Sequence, residues 1–397
     1  MAVLSTTPVA PRRVLTPTVA ALIAFIPTGM VNVLLGPLLP ALSARWAMND
    51  AQAGRLFTVQ FLSSTVGVLC SGFLVPRLGY RIVIVLGLVL MAFGVFTLPL
   101  GSMLMGTVSI SCIGTGFGIA IPAANLLVAE TNPTRKASAL NLLNFAWSVG
   151  AVACPLLVLY FLRNQRIAAF LVILGLSILL VGILLAAAPL PRSAKIEALA
   201  ALSTHSLATL LRTRAALALG VLFFVYVGTE NGIGGWLATY AKRMADTTAS
   251  NWVSTPSYFY AALLVGRLFV PALLERIAEL QVARGGIAMA LSGVALLMAS
   301  QSVVSVRISA CLIGLGLAAV YPITIALLSN IFAADANRLG SVMFALAGCG
   351  AACVPWLVGF LSTALLSLRL GLTVPLAGCA IMLLLYLRNW SAVSEHH

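Results

Sequence analysis

Charge is scarce in this sequence. Only 8% of its 397 residues are charged, whereas 61% are hydrophobic, and the mean hydropathy is +1.09. Soluble domains carry about 25% charged residues, so this composition excludes a water-soluble fold. Apolar runs of about 20 residues recur along the chain, and each can cross a hydrocarbon core ~30 Å thick as a helix. The sequence therefore predicts an all-α polytopic membrane protein, with the lipid bilayer as its surroundings.

Acidic and histidine side chains are especially few, with nine Asp and Glu residues and three His in the whole chain. No apolar span combines a nucleophile with a base or gathers a set of metal ligands. This disfavours an intramembrane enzyme, which with a non-transporting membrane receptor is the alternative from another functional class, and no cofactor or metal is expected. The seven cysteines lie inside apolar spans, as small packing residues do. The net charge of +14 is spread over the loops rather than gathered in a patch. No nucleic-acid partner is therefore expected.

Hydropathy predicts twelve transmembrane helices. We place them near residues 17–43, 54–75, 81–100, 103–130, 137–162, 167–188, 215–240, 254–275, 285–304, 308–331, 339–362 and 371–388. With both termini on one side of the membrane, that side carries 14 loop Lys and Arg residues and the other side carries eight. Cytoplasmic loops are enriched in these residues. We therefore expect both termini in the cytoplasm and the protein in a bacterial plasma (inner) membrane.

An internal repeat of about 200 residues divides the chain into two parallel halves. Pro122 and Pro155 recur 200 residues later as Pro322 and Pro355, and Asn32 recurs 199 residues later as Asn231. The repeat predicts an N-terminal six-helix bundle (1–188), a cytoplasmic linker with an interfacial helix (189–214) and a C-terminal six-helix bundle (215–397). Two six-helix pseudo-repeats joined by a loop are typical of transporters whose site lies between the halves.

Glu230 lies deep within the apolar stretch of the predicted seventh helix. An acid at that depth costs roughly 2.5–3.5 kcal/mol on insertion scales, so it needs a partner, a proton or an aqueous path. Glu230 and Arg267, in the eighth helix, are expected ~15 Å and ~18 Å below the same membrane face. They can therefore form a pair if their helix faces meet. We predict that both take part in ion coupling, and a purely structural ion pair is the alternative.

Polar stripes mark several predicted helices. Asn141 and Asn144 share a narrow sector of the fifth helix, with Trp147 at its flank. Amides donate and accept hydrogen bonds, which suits hydroxylated solutes, and aromatic rings suit the apolar faces of a pyranose. Interhelical packing is the alternative, and we favour it for the stripe that contains Gln60. The candidate substrate-binding residues are Asn32, Gln60, Asn125, Asn141, Asn144, Trp147, Asn231, Trp236, Tyr260 and Tyr321.

The loop between the second and third predicted helices carries a recognisable motif. From Gly72 to Arg81 it reads Gly-Phe-Leu-Val-Pro-Arg-Leu-Gly-Tyr-Arg. This segment resembles the signature Gly-x-x-x-Asp-Arg-x-Gly-x-Arg of the major facilitator superfamily, with Pro76 in place of the acid. The resemblance covers essentially the whole chain and implies the fold of that superfamily. It also implies gating roles for four residues, Arg77, Arg81, Glu275 and Arg276.

Within the superfamily, the chain resembles the fucose-permease-like sugar transporters. The similar segments are 34–40, 123–125, 140–150, 226–236 and 266–268. The resemblance implies alternating-access transport of a monosaccharide with a proton, or sodium, as the coupled ion. The acids that such symporters carry in helices 1 and 4 are absent here, where Asn32-Val33 and Ile121-Pro122 stand. A coupled proton must then use Glu230; otherwise the protein is a facilitator or uses another ion. We expect a monomer. A drug or lipophilic-cation exporter of the same fold is the alternative.

Overall fold

The computed structural model describes residues 17–187, 207–245, 250–332 and 335–387. Most of the predicted linker, residues 189–206, lies outside this part of the chain. The helices are α1 (Pro17–Val33), α2 (Leu35–Arg45), α3 (Asp50–Thr97), α4 (Met103–Thr131), α5 (Lys136–Arg163), α6 (Ile167–Ala187), α7 (Leu207–Leu211), α8 (Arg214–Lys242), α9 (Thr255–Leu274), α10 (Glu279–Ala299), α11 (Val303–Leu317), α12 (Val320–Phe332), α13 (Ala336–Ala364), α14 (Leu368–Gly371) and α15 (Thr373–Leu387). Short 3₁₀ turns precede α5 and α9.

The prediction of twelve spans is confirmed. Ten stretches of helix are long and apolar enough to cross a membrane, and α1 with α2, bent by 40°, forms an eleventh span. The 48 residues of α3 would extend ~72 Å if straight, more than twice the ~30 Å hydrocarbon core. This helix breaks at Gly79, whose φ of 77° suits a residue without a side chain. It therefore contains two spans, and the described residues supply twelve.

Several predicted boundaries are wrong by a turn or more. The ninth span is predicted at 285–304, whereas α10 covers Glu279–Ala299. Polar residues in its first turns, Glu279, Gln281 and Arg284, delay the rise in hydropathy on which the prediction depends. The next helix begins early because Ser302 and Ser305 form a capping box that starts α11.

The two pseudo-repeats pack their helices in the same way. A Cβ atom at Gly87 would lie 2.7 Å from the carbonyl oxygen of Gly116, and one at Gly286 would lie 2.5 Å from that of Gly316. Both contacts bring helix backbones together, which is how small residues drive helix association in lipid. Gly87 and Gly286 are 199 residues apart in sequence, and Gly116 and Gly316 are 200 apart. The sequence repeat is therefore also a repeat of helix packing.

The bundle has two ends, one at each membrane face. The linker end is the face at which α1 begins and at which α6 and α15 end. Asn132, after the end of α4, donates a hydrogen bond to Thr18 of α1 over 2.9 Å at this end. The far end is the opposite face, where α2, α5 and α8 end.

Candidate functional site

A cavity lies between the two halves near the middle of the bundle. It has a volume of about 230 Å³ and is lined by Asn32, Val33, Gly36, Phe57, Phe61, Asn231, Gly235 and Tyr260. Along α8, Asn231 is ~26 Å from the linker end of the helix and ~17 Å from its far end. Most of the cavity volume is open to solvent, and the enclosed part has room for about one water molecule, so the cavity is contracted in this conformation.

Six of the lining residues form three pseudo-equivalent pairs. Asn32 corresponds to Asn231, Gly36 to Gly235 and Phe61 to Tyr260, each pair separated by 199 residues. The cavity therefore lies on the axis that relates the two halves. Any solute held there contacts both halves at once.

The cavity presents polar atoms that have no protein partner. Within the described part of the chain, the side-chain amide of Asn32 and the hydroxyl of Tyr260 make no hydrogen bond to protein. The Asn231 amide donates to the carbonyl of Val227 over 2.8 Å, which leaves its side-chain oxygen available as an acceptor. Buried polar groups are normally paired, so these atoms indicate a hydrated or solute-binding surface.

Glu230 directly precedes Asn231 on α8, and Arg267 lies about two turns beyond Tyr260 on α9. Arg267 Nη2 is 3.8 Å from Glu230 Oε2, and the two side chains are 27% and 14% exposed. The helix faces therefore meet, as the matching depths suggested. Opposite charges this close compensate each other where hydration is poor. The positions 199 residues earlier are Val31 and Val68, so the charge belongs to one half alone.

Tyr321 lies beside the ion pair, outside the cavity lining. Its ring stacks on Tyr226 with centroids 5.4 Å apart, and it meets Phe223 edge-on at 5.9 Å. The Tyr226 hydroxyl donates to the carbonyl of Leu317 over 3.3 Å. Both tyrosines interact electrostatically with Glu230. Tyr321 of α12 and the α8 rings that it contacts therefore form an aromatic cluster next to the ion pair.

Only three of the ten predicted substrate-binding residues line the cavity: Asn32, Asn231 and Tyr260. Trp236 is 0% exposed, and its indole nitrogen donates to the carbonyl of Pro355 over 2.8 Å. Gln60 is buried and donates to the main-chain carbonyl of Asn32 over 2.8 Å. In this conformation both side chains therefore pack the helices together. Both were listed as candidate substrate-binding residues, with packing favoured for the Gln60 stripe, and here the Trp236 indole nitrogen and the Gln60 amide nitrogen have main-chain partners.

The four remaining candidates lie in α4 and α5. Asn125 and Trp147 are partly buried, and the indole nitrogen of Trp147 is buried without a hydrogen-bond partner in the described residues. Asn141 and Asn144 are exposed. These residues stand apart from the contracted cavity, and their place in a binding site stays a prediction.

The far end is closed by polar contacts between the halves, which we call the latch. Arg243, which caps the end of α8, donates to both carboxylate oxygens of Asp50 over 2.7 Å. Ser362 of α13 also donates to Asp50, and the backbone nitrogen of Ala51 donates to Thr363 over 2.8 Å. Nothing in the sequence signals the latch, because Asp50 and Arg243 are 193 residues apart and both resemble ordinary loop charges.

Apolar packing continues the closure down to the cavity. The rings of Phe57 and Trp236 lie 6.2 Å apart across the interface. A Cβ atom at Gly36 would lie 3.0 Å from the carbonyl oxygen of Gly234, so α2 and α8 touch through their backbones. Towards the linker end, Asn144 and Phe344 are exposed. The bundle is thus closed at the far end.

The predicted gating residues lie at the linker end. The Arg77 guanidinium is 3.4 Å from the ring centroid of Phe73. Glu275 and Arg276 are exposed. Tyr80 donates to Glu130 of α4 over 2.6 Å, a contact that sequence reasoning missed. This bond fixes the loop to α4 on the half whose motif lacks its acid.

This architecture defines a membrane transporter, with two related six-helix bundles around a mid-height cavity that is closed at one end. Residues 21–332 match the family model described as Major Facilitator Superfamily. The chain belongs to this superfamily, which confirms the resemblance seen in the sequence. No curated protein sequence is significantly similar to the chain.

Solved structures share the fold. The chain is 20% identical to the E. coli fucose:proton symporter, with 93% of this chain and 97% of that chain covered and a TM-score of 0.62. For a D-xylose-proton symporter the identity is 14%, the coverage 93% and 95%, and the TM-score 0.75. For an inward-facing bacterial homologue of the human lysosomal transporter Spinster, the identity is 14% and the TM-score 0.70, with 96% of this chain and 93% of that chain covered. Identities this low establish the fold and leave the solute to be inferred from the site.

Proposed function

We propose that this protein moves a monosaccharide across the membrane by alternating access, coupled to a proton through Glu230. The proposal is carried by one observation. A cavity at mid-height, shared by both halves, exposes amide and hydroxyl groups without protein partners beside a partly buried ion pair. A site that alternates between the two faces must be formed by both halves at the depth where they meet.

The chemistry of the cavity suits a neutral hydroxylated solute. Asn32 and Asn231 face it from opposite halves, and each offers hydrogen-bonding atoms that a sugar hydroxyl can use. The rings of Phe57 and Phe61 supply apolar contact. Because Arg267 compensates the charge of Glu230, the site carries no net charge next to the solute. Two of the structurally similar proteins are described as fucose and D-xylose symporters with protons.

Proton coupling follows from the position of the ion pair. Glu230 and Asn231 are neighbours on α8, and Arg267 and Tyr260 share α9. A proton on Glu230 removes its attraction to Arg267 and lets these two helices shift. The same two helices carry the cavity wall of the second half, so protonation and solute binding both act on α8 and α9. Sodium as the coupled ion is the alternative.

In this proposal the linker end faces the cytoplasm, in agreement with the loop charges, and the structure corresponds to an inward-open state of a monomer. Residues 1–188 and 215–397 move as the two bundles. Arg77, Arg81, Glu275 and Arg276 form the cytoplasmic gate that closes when the far end opens.

A drug or lipophilic-cation exporter of the same fold is the rival function. Its substrate would be attracted by an unpaired carboxylate in an aromatic cavity. The two phenylalanines favour such a substrate, but Arg267 lies 3.8 Å from Glu230 and opposes a cation. A zwitterion is a further outcome to test, because one similar structure is a POT family transporter in complex with 5-aminolevulinic acid.

Counterflow in proteoliposomes tests the proposed solute class. Vesicles loaded with an unlabelled compound are diluted into the same labelled compound, with fucose, xylose, glucose, 5-aminolevulinic acid and tetraphenylphosphonium tested in turn. We expect saturable exchange of at least one monosaccharide and none of tetraphenylphosphonium. Exchange of tetraphenylphosphonium or 5-aminolevulinic acid without any sugar exchange would replace the proposal by the corresponding rival.

The backbone contact at Gly36 gives a further prediction. A valine there would push against the Gly234 carbonyl and keep α2 from closing on α8, whereas Gly285 has nothing within 4 Å of a Cβ atom. We expect Gly36→Val to lower sugar counterflow by about tenfold or more, since overpacking a tight contact costs ~1–3 kcal/mol. Gly285→Val, its matched control, keeps the wild-type rate. Equal rates in both variants would mean that far-end closure does not limit transport.

A further inference from the structure

The two walls of the cavity differ by a single hydroxyl group at one pseudo-equivalent pair. Phe61 of α3 and Tyr260 of α9 are 199 residues apart and both line the cavity. Their rings occupy corresponding places on the two halves. The first half therefore presents a bare ring where the second half presents a phenol.

The structure makes room for this hydroxyl on one side only. The Tyr260 oxygen lies against the backbone of Gly234, where an added Cβ atom would collide with it. The residue 199 positions before Gly234 is Leu35, which is buried. The first half thus has a leucine where the second half has a glycine beside its aromatic ring. The Tyr260 hydroxyl and Gly234 therefore distinguish the second half from the first, where Phe61 and Leu35 stand at the corresponding positions.

The Tyr260 hydroxyl has no hydrogen-bond partner in the described part of the chain, although the residue is only 7% exposed. The oxygen itself is not among the buried polar atoms that lack a partner, so it reaches open space where water or a ligand can bind it. Its nearest open space is the cavity that Tyr260 lines. The partner that completes it is therefore a group held in that cavity.

We propose that Tyr260 is the specificity-determining residue of this site, an inference that rests on the proposed function. Its hydroxyl forms a hydrogen bond with one hydroxyl of the bound monosaccharide, while Phe61 covers an apolar patch of the sugar from the other half. This pair gives the sugar one orientation with respect to the two halves. Tyr260 is also seven residues before Arg267 on α9, so the two side chains share a helix face. The helix that contacts this sugar hydroxyl is thus the helix that carries Arg267 of the ion pair.

The test compares wild-type protein with the Tyr260→Phe variant in sugar counterflow. The probes are fucose, xylose and glucose, and the singly deoxygenated analogues of whichever sugar exchanges fastest. In the wild type, removal of one particular hydroxyl weakens competition by about tenfold, the size of one lost hydrogen bond in a closed site. In Tyr260→Phe, competition by the parent sugar is weaker by a similar factor. The analogue that lacks the particular hydroxyl then competes as well as the parent sugar does. Tyr258→Phe, two residues away on the exposed side of α9, leaves both values unchanged.

Each outcome decides the matter. If Tyr260→Phe keeps the wild-type preference among the analogues, the specificity role is wrong while sugar transport stands. If the wild type exchanges none of the sugars, the proposed function fails and this inference with it. Where Tyr260→Phe gives too little folded protein, Gly234→Ala supplies the second measurement, because its Cβ atom would displace the Tyr260 hydroxyl. Moving the hydroxyl should reduce discrimination among the analogues, and unchanged discrimination would overturn the proposal.

Discussion

Proteoliposomes containing the Glu230→Gln variant should exchange sugar but no longer accumulate it. One proton moved down a gradient of about one pH unit supplies ~1.4 kcal/mol, enough for about tenfold accumulation of the solute. Glutamine keeps the shape and hydrogen bonding of a protonated Glu230 but cannot release a proton. Uptake driven by an inward proton gradient should therefore stop at the equilibrium level, while counterflow continues.

The external pH separates this effect from simple damage. Wild-type uptake should fall as external pH rises, because fewer protons are available to load Glu230, whereas counterflow by Glu230→Gln should be independent of pH. Glu279→Gln changes an exposed acid at the start of α10 and serves as the control with wild-type accumulation. Tenfold accumulation by Glu230→Gln would show that the proton is carried elsewhere.

Breaking the latch at Asp50 should open the far end. Asp50→Asn removes the charge that holds Arg243 and leaves an oxygen that Ser362 can still reach. Exposed ion pairs contribute ~0–1 kcal/mol, but here one guanidinium nitrogen lies 2.7 Å from both oxygens of a carboxylate that is only 19% exposed. We expect a shift towards the far-open state of about tenfold. The measure is the rate at which a membrane-impermeant maleimide, added from the far side, labels a cysteine at Val33 in the cavity wall.

A double-variant cycle identifies the cause of that shift. If the two charges act on each other, Arg243→Gln should raise the labelling rate as Asp50→Asn does, and the double variant should raise it no further. Additive effects of the two substitutions would mean that each residue acts through other contacts. A labelling rate unchanged by either one would show that this pair does not hold the far end closed.

The sequence predicted the elements that depend on composition and depth. Long apolar runs define the spans, and the repeat alone predicts that Asn32 lies opposite Asn231. The Glu230–Arg267 pair was accessible to the same reasoning because a deeply placed acid has few candidate partners. The spans and the ion pair follow from distance along a helix, which the helical rise fixes, and the asparagine pair follows from the repeat.

The direction in which a side chain points was much harder to predict. In α8, 20 of the 29 residues are buried, so no apolar stripe shows which face meets the cavity. Trp236 was therefore assigned to the solute, although it packs against Phe57 and the Pro355 carbonyl. The latch was missed for another reason. Its partners are distant in sequence and lie at helix ends, where no periodicity applies.

Distances between spin labels at the two ends of the bundle would show whether the halves rock around the cavity. One pair joins Ala44 to Gln301 at the far end, and the other joins Lys136 to Ala278 at the linker end; all four positions are exposed. Alternating access predicts reciprocal changes when fucose or xylose and the pH are varied, so that the far-end distance grows as the linker-end distance shrinks. Distances that stay fixed, or that grow together at both ends, would contradict it.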